Sequence, residues 1–435
     1  MFRRFIYSLL ILMTFCAAGA AAEEPAREKL RWMGHWQDRG LREKLVLEVR
    51  DEFQFRHQDI DIELRFPAKI MGDRGKILTG QYIAEMIRSG QIQWDVVWMD
   101  PTIYQAVAEE LNDPDWGKKH LVDFSDFPDI KAAQKPFLVE GPDCHKGTGG
   151  VFVGPYIEGL YTYLWYNKVV AESLGIKIKE TGMGADDFLG YLDRLKEYNR
   201  TADKPVSAFA VFGWPSSFGR LAYNLYLSEH LPRPDTPDKQ ILARILRFFE
   251  AMSSCHPLLD NLRISTPEAF RHNARLLAED KALFMVEPTW CYASLERNFP
   301  QLMPKLRPAQ LPGFERQNFY IGGFIPAWAV MKNSPARELG IELMRVWCSP
   351  EIAQKWIRYT KSPTGLSGTL YDSEYGLDVF AQFHKKLIAG RTVQTDVAFL
   401  KPEENPILPV WDYLIPVLDG EQTADEVLRK MKAHE

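Results

Sequence analysis

The chain has 435 residues, of which 46% are hydrophobic and 26% charged, with a formal net charge of −5. That length suffices for two or three domains with full cores, and the composition is that of a globular protein. The acidic balance argues against a nucleic-acid partner, which would call for a basic face, and no like-charge block, low-complexity tract or solenoid repeat is present.

In chain order, the first feature is an export signal. Met1 to Arg4 is a short basic segment, Phe5 to Cys16 is apolar but short for a bilayer span, and Ala20-Ala21-Ala22 supplies small residues before Glu23. This predicts a secretory signal peptide over residues 1–22, removed by cleavage. A lipoprotein signal ending at Cys16 is the rival, although Thr14-Phe15 fits its cleavage site poorly. Four cysteines would remain, Cys144, Cys255, Cys291 and Cys348, to be paired as disulfides or buried as thiols. No C-x-x-C occurs, and no later segment is long and apolar enough to span a membrane.

After the signal, Leu30 to Trp36 reads as a strand ending in a turn. Leu41, Leu45, Val49 and Phe53 form one stripe of a helix, and Ile60 to Phe66 alternates as a half-buried strand. A helix over Thr79 to Ser89 stops at Gly90, and Trp94 to Met99 is a buried strand closed by Asp100-Pro101. Strand, helix, strand, helix, strand is the alternation of an α/β domain with a parallel sheet. A long aromatic run covers 151–166 and leads to a short helix at 167–175. Helices are expected at 185–198, 220–231, 239–253, 267–279, 336–348, 350–359 and 423–433, and strands at 206–212, 281–286 and 319–331. The runs near 151–166 and 319–331, with the Ser362-Pro363-Thr364 loop, are where the chain would cross between two lobes.

Catalytic signatures are missing: there is no G-x-S-x-G, H-E-x-x-H, Walker lysine loop or EF-hand. The nine histidines show no i, i+4 pair, so neither a metal nor a cofactor is expected. A pair of carboxylates for glycoside hydrolysis would be spatial rather than sequential, and Glu158 and Glu287 are the acids beside aromatics near strand ends. The positive signal is the placement of Trp36, Trp98, Tyr156, Trp214, Trp290 and Trp328 at or near strand ends. In open α/β sheets, ligands bind beyond the carboxyl ends of strands. Planar rings stack on the C–H faces of sugars, and acids such as Glu158 and Asp100 can accept sugar hydroxyls in bonds worth about 1.5–3 kcal/mol each. Acids so placed would repel an anionic solute.

Six segments, in this order, carry a resemblance: WDVVWMD at 94–100, GPYIEGLYTYLWYNKVVAESLGI at 154–176, GADDFLGYLDRL at 184–195, EDKALFMVEPTWCYASL at 279–295, IGGFIPAWAVMKNSPARELGIELMRVWCSPEIAQKWI at 321–357, and LDGEQTADEVLRKMK at 418–432. Together they resemble the extracellular solute-binding proteins of ABC importers, in the sugar-binding family that includes maltose-binding protein. The helix before Tyr191 lacks the family's usual Pro-x-Thr-Trp lead, and the insert 141–150 and the Pro-rich 402–409 region depart from its pattern.

The resemblance implies an α/β, two-lobed periplasmic-binding-protein fold with three crossover hinge segments and a ligand cleft between lobes. One lobe would hold 23–155 with about 327–362, the other about 156–326 with about 363–435. It places a hydroxyl-accepting acid at Glu158, a stacking indole at Trp290, Asp100 and Trp36 at the cleft edge, and a second-lobe stacking position at Trp411. With Tyr156, Trp214 and Trp328 from the strand-end pattern, these are the expected ligand-binding residues, and none is expected to be catalytic. The implied protein is a monomer that binds a mono- or oligosaccharide and delivers it to membrane permease subunits. A periplasmic sensor subunit, a receptor for a non-sugar solute and a secreted glycosidase are the alternatives.

Overall fold

A computed structural model describes residues 28–36, 40–71, 75–139, 150–230, 236–255, 257–315, 317, 319–367, 392–397, 400 and 404–433. The expected signal peptide, most of the 141–150 insert, with Cys144, and residues 402–403 of the Pro-rich region lie outside the described residues.

Two sheets organise the chain. The first contains β1 (Glu28–Met33), β2 (Ile60–Arg65), β3 (Val96–Trp98) and β9 (Trp328–Val330), in the order β2-β1-β3-β9. Its first three strands are parallel and β9 runs antiparallel to β3. The second contains β4 (Glu158–Asn167), β5 (Ser207–Phe209), β6 (Ala282–Pro288), β8 (Phe319–Ile325) and β10 (Thr392–Thr395), in the order β10-β8-β4-β6-β5, with β7 (Leu306–Ala309) also on β4. The expected strand 319–331 is therefore two strands in two sheets, parted at Pro326-Ala327, because proline cannot donate to a continuing ladder.

β4 explains the aromatic run. All ten of its residues are buried, because both faces of the strand are covered. Leu164 and Tyr166 pack into one core with the helices Ser216–Glu229 and Lys239–Ser253, whereas Tyr161, Tyr163 and Trp165 pack into another with Met285, Cys291 and Tyr320. The β4 aromatics are thus mostly structural. The Tyr-Asn-Lys step that ends β4 is equally physical. Asn167 caps the helix Lys168–Ser173 by accepting from Val169 N (2.9 Å) and Val170 N (3.2 Å), and its amide donates to Leu277 O.

The first sheet has its own core, built from residues of 30–157 and 327–366 and rich in indoles: Trp32, Trp36, Trp328, Trp347 and Trp356. The chain passes between the two sheets after Ile157, at Pro326, and after Leu366. Cys255, Cys291 and Cys348 are buried free thiols, and burial pushes the Cys255 and Cys348 thiols up to about 12.

Two helices absent from the expectations flank the strand ends. Pro101–Leu111 starts with Asp100 as N-cap and Pro101 in its first turn, and Asn112 ends it in the left-handed region. Trp290–Asn298 follows β6 directly.

Candidate functional site

The strand directions converge. β1 and β3 end at Met33 and Trp98, leading into Gly34–Trp36 and Asp100. In the second sheet, β5 leads into Gly213-Trp214 and β6 into Thr289-Trp290, at the same end as the start of β4, since Thr162 pairs with Pro288. Between them run the crossover segments, so the carboxyl ends of both sheets face a shared seam.

Glu158 sits in this seam at the start of β4. Its Oε1 accepts from Arg42 Nη1 at 2.6 Å and its Oε2 from the Trp36 indole at 3.1 Å. Both side chains of the ion pair are largely buried, at 18% and 11% exposed. The acid in the aromatic strand therefore ties β4 to the helix Leu41–Arg56 and to the end of β1. Sequence reasoning missed Arg42: it is a charged residue on the buried stripe of its helix, and its partner lies 116 positions away. Trp36 is buried with its backbone at φ 62°, an uncommon conformation for a bulky residue, and its ring packs 5.1 Å from Trp356 and 6.0 Å from Trp328. His35 stacks on Trp98 at 4.1 Å and 15°.

Trp328 packs inside the first core. It is fully buried, 5.2 Å from Trp32 and 5.4 Å from Trp347, so its faces meet other indoles rather than the seam. Its register opposite Trp98 points it into the first core. Asp100 also has a structural role, because its Oδ1 accepts from Ile103 N at 2.9 Å as the helix cap. Tyr156 is buried where two crossovers meet. Its N–H donates to Gln134 Oε1, and a Cβ on Gly365 would come 2.7 Å from its own Cβ.

The second-sheet indoles differ in availability. Trp290 is half-buried and stacks on Phe270 with centroids 6.3 Å apart, and half-buried Trp214 has Arg263 at 5.8 Å from its ring. Trp411 is half-buried against the helix Ser216–Glu229, where its ring fills the space over Gly219: a Cβ there would meet Trp411 at 2.1 Å. It packs with the second core, so stacking on that helix is what the structure assigns to it.

A buried polar cluster lies behind Trp214 and Trp290. Glu287 Oε1 accepts from Gly213 N and Ser217 Oγ, each at 2.7 Å, while its Oε2 has no hydrogen-bond partner among the described residues. Burial raises the Glu287 carboxyl, opposed by the charge of Arg220 and by these hydrogen bonds. Arg220 Nε donates to Asp396 at 2.9 Å, and Thr162 Oγ1 donates to the same carboxylate. Glu158 and Glu287 are therefore each bonded inside the protein. Among the described residues no group of His, Cys, Asp and Glu could hold a metal ion, and no helix is long and apolar enough to cross a membrane.

Two sheets with facing carboxyl ends and three crossings between them define a two-lobed binding protein with an interlobe cleft. The family profile of the bacterial extracellular solute-binding proteins matches residues 79–374, and the chain belongs to that family. Solved structures share the fold. The GacH receptor of Streptomyces glaucescens, determined unliganded and with acarbose, is 12% identical with a TM-score of 0.66, over 93% of this chain and 96% of that one. A chitin oligosaccharide binding protein is 12% identical with a TM-score of 0.67, covering 93% and 97%. Maltose-bound MalE3 of T. maritima is 14% identical with a TM-score of 0.64, covering 93% and 98%. No curated protein sequence matches the chain.

Proposed function

We propose that this chain is the periplasmic receptor of an ABC importer, exported through a cleaved signal peptide, and that it binds a carbohydrate in the interlobe cleft, closes around it and delivers it to the permease without chemical turnover. The observation that carries this reading is the position of Trp214 and Trp290, half-buried indoles in the segments that follow the carboxyl ends of β5 and β6, where a sugar face can stack. Proteins that share the fold include some whose names refer to acarbose, chitin oligosaccharides and maltose, which supports a saccharide over other solutes. The first lobe takes 23–155 with about 327–362 and the second about 156–326 with about 363–435. The separate cores support that partition, with Ile157 and Leu366 packing on the first side of its boundaries. Contacts across the seam support closure: the helix Trp290–Asn298 touches the helix Pro350–Thr360, and Arg297 lies against Gly40.

The test is thermal unfolding of residues 23–435 against mono- and oligosaccharides, with polyamines and organic acids as controls. A ligand at 100 times its Kd stabilises by about 2.7 kcal/mol, a readily measured rise in Tm. A saccharide shift that is lost in Trp290→Ala and Trp214→Ala is expected. A shift from a polyamine or organic acid alone, or one indifferent to both substitutions, would refute this reading.

A further inference from the structure

Lys135 lies at the floor of the seam. Its backbone is pinned between crossovers: Lys135 N donates to Gly365 O at 2.8 Å, and the preceding Gln134 bridges to Leu366 and accepts from Tyr156 N. Its side chain reaches the other sheet, where the ammonium stands 4.9 Å from the centroid of the Phe324 ring on β8. That ring is held edge-to-face by Tyr161 at 6.0 Å and 89°, and it abuts Gly159, where a Cβ would come within 2.9 Å.

Other arginines named in the site are accounted for. Arg42 is paired with Glu158, Arg220 with Asp396 and Arg263 with Asp419, and exposed Arg297 is open to water. Lys135 is half-buried and has no carboxylate partner among the described residues. Burial alone lowers its pKa to about 8, so it is still a cation at neutral pH. The Phe324 face offsets only part of that desolvation, since a cation–π contact contributes about 0.5–2 kcal/mol. The acids expected to repel anions do not do so: Glu158 is neutralised by Arg42, and Asp100 sits on a helix N-terminus whose dipole opposes its charge.

We propose that Lys135 is an anion-recognition residue of the cleft, so that the solute is an acidic saccharide whose carboxylate or sulfate ester meets this ammonium. This rests on the carbohydrate-receptor reading. An ammonium offers three donors and a point charge, a fit for either anion, and neutralisation in a half-buried site is stronger than in water.

The experiment is calorimetric titration of the mature chain with matched pairs: trigalacturonate against its methyl ester, and a sulfated disaccharide against its desulfated form. At least one acidic member should bind ten times or more tightly than its neutral counterpart, and which pair shows the difference distinguishes carboxylate from sulfate. Lys135→Met should erase that difference while retaining a cooperative unfolding transition, and Lys135→Arg should restore part of it. A neutral saccharide binding as well as its acidic partner, or a difference that survives in Lys135→Met, would overturn the proposal and leave the carbohydrate receptor standing. Silence from every saccharide, acidic and neutral, would remove the carbohydrate reading and this proposal with it.

Discussion

Glu158 and Lys135 are opposite cases of one problem, a charge held in a crowded seam. Glu158 solves it with partners, so its carboxylate links Arg42 and Trp36 across the two sheets. A double-mutant cycle of Glu158→Gln and Arg42→Met should give a coupling of about 1–2 kcal/mol in urea unfolding, between exposed and buried pairs. A coupling indistinguishable from zero would mean that the contact does not hold the seam. Lys135 has only an aromatic face. Its folded pKa, about 8, lies below that of the unfolded chain, near 10.4. Below pH 8 both states carry the proton, and the folded state bears the full cost of burying it. As pH rises through 8 the folded ammonium deprotonates first and the cost fades. Ligand-free Lys135→Met should therefore melt above wild type at pH 7, with the gap closing towards pH 10. An equal or lower Tm at pH 7 would show that the amine is not desolvated at a cost.

Elements were legible where a local rule suffices. The helix 239–253 has the expected bounds because Asp238 caps it, accepting from Gln240 N and Ile241 N, and its apolar face recurs at helical spacing. The parallel order of β1, β2 and β3 follows from their alternation with helices. Where one residue can serve two purposes, the reading failed. Asp100-Pro101 closes the strand as expected, but it is also the cap and first-turn proline of a helix that the sequence reading omitted. Apolar continuity joined β8 to β9, although Pro326 divides them. Strand-end position marked Trp328 and Trp290 alike, but only the half-buried Trp290 retains an available face, because burial depends on partners from distant sequence. The same distance hid the ion pair of Arg220 with Asp396, 176 positions apart. It ties the helix Ser216–Glu229 to the residue after β10, beside Thr162 of β4. Arg220→Met leaves Asp396 buried and unpaired, and should cost about 3–5 kcal/mol by urea denaturation, while adding Asp396→Asn should recover part of it. A loss below about 1 kcal/mol would contradict a buried pair.

For the whole molecule, the first sheet carries one core and the second sheet two, with three crossings between the sheets; in the proposed closure the lobes move as bodies about those segments, and solute favours the arrangement it bridges. The resemblance carried by six segments in order over most of the chain suggested this architecture. It could not supply the seam's charge balance, which depends on Arg42, Lys135 and Arg220 meeting or lacking partners far away. That balance turns an expectation of neutral solutes into a proposal of acidic ones. The most direct measurement of the central claim, a saccharide bound between closing lobes, is small-angle X-ray scattering of residues 23–435 titrated with the most stabilising saccharide. The account predicts a fall in radius of gyration that saturates with the calorimetric binding curve and disappears in Trp290→Ala. Saturable binding with no contraction would place the solute outside the cleft and contradict it.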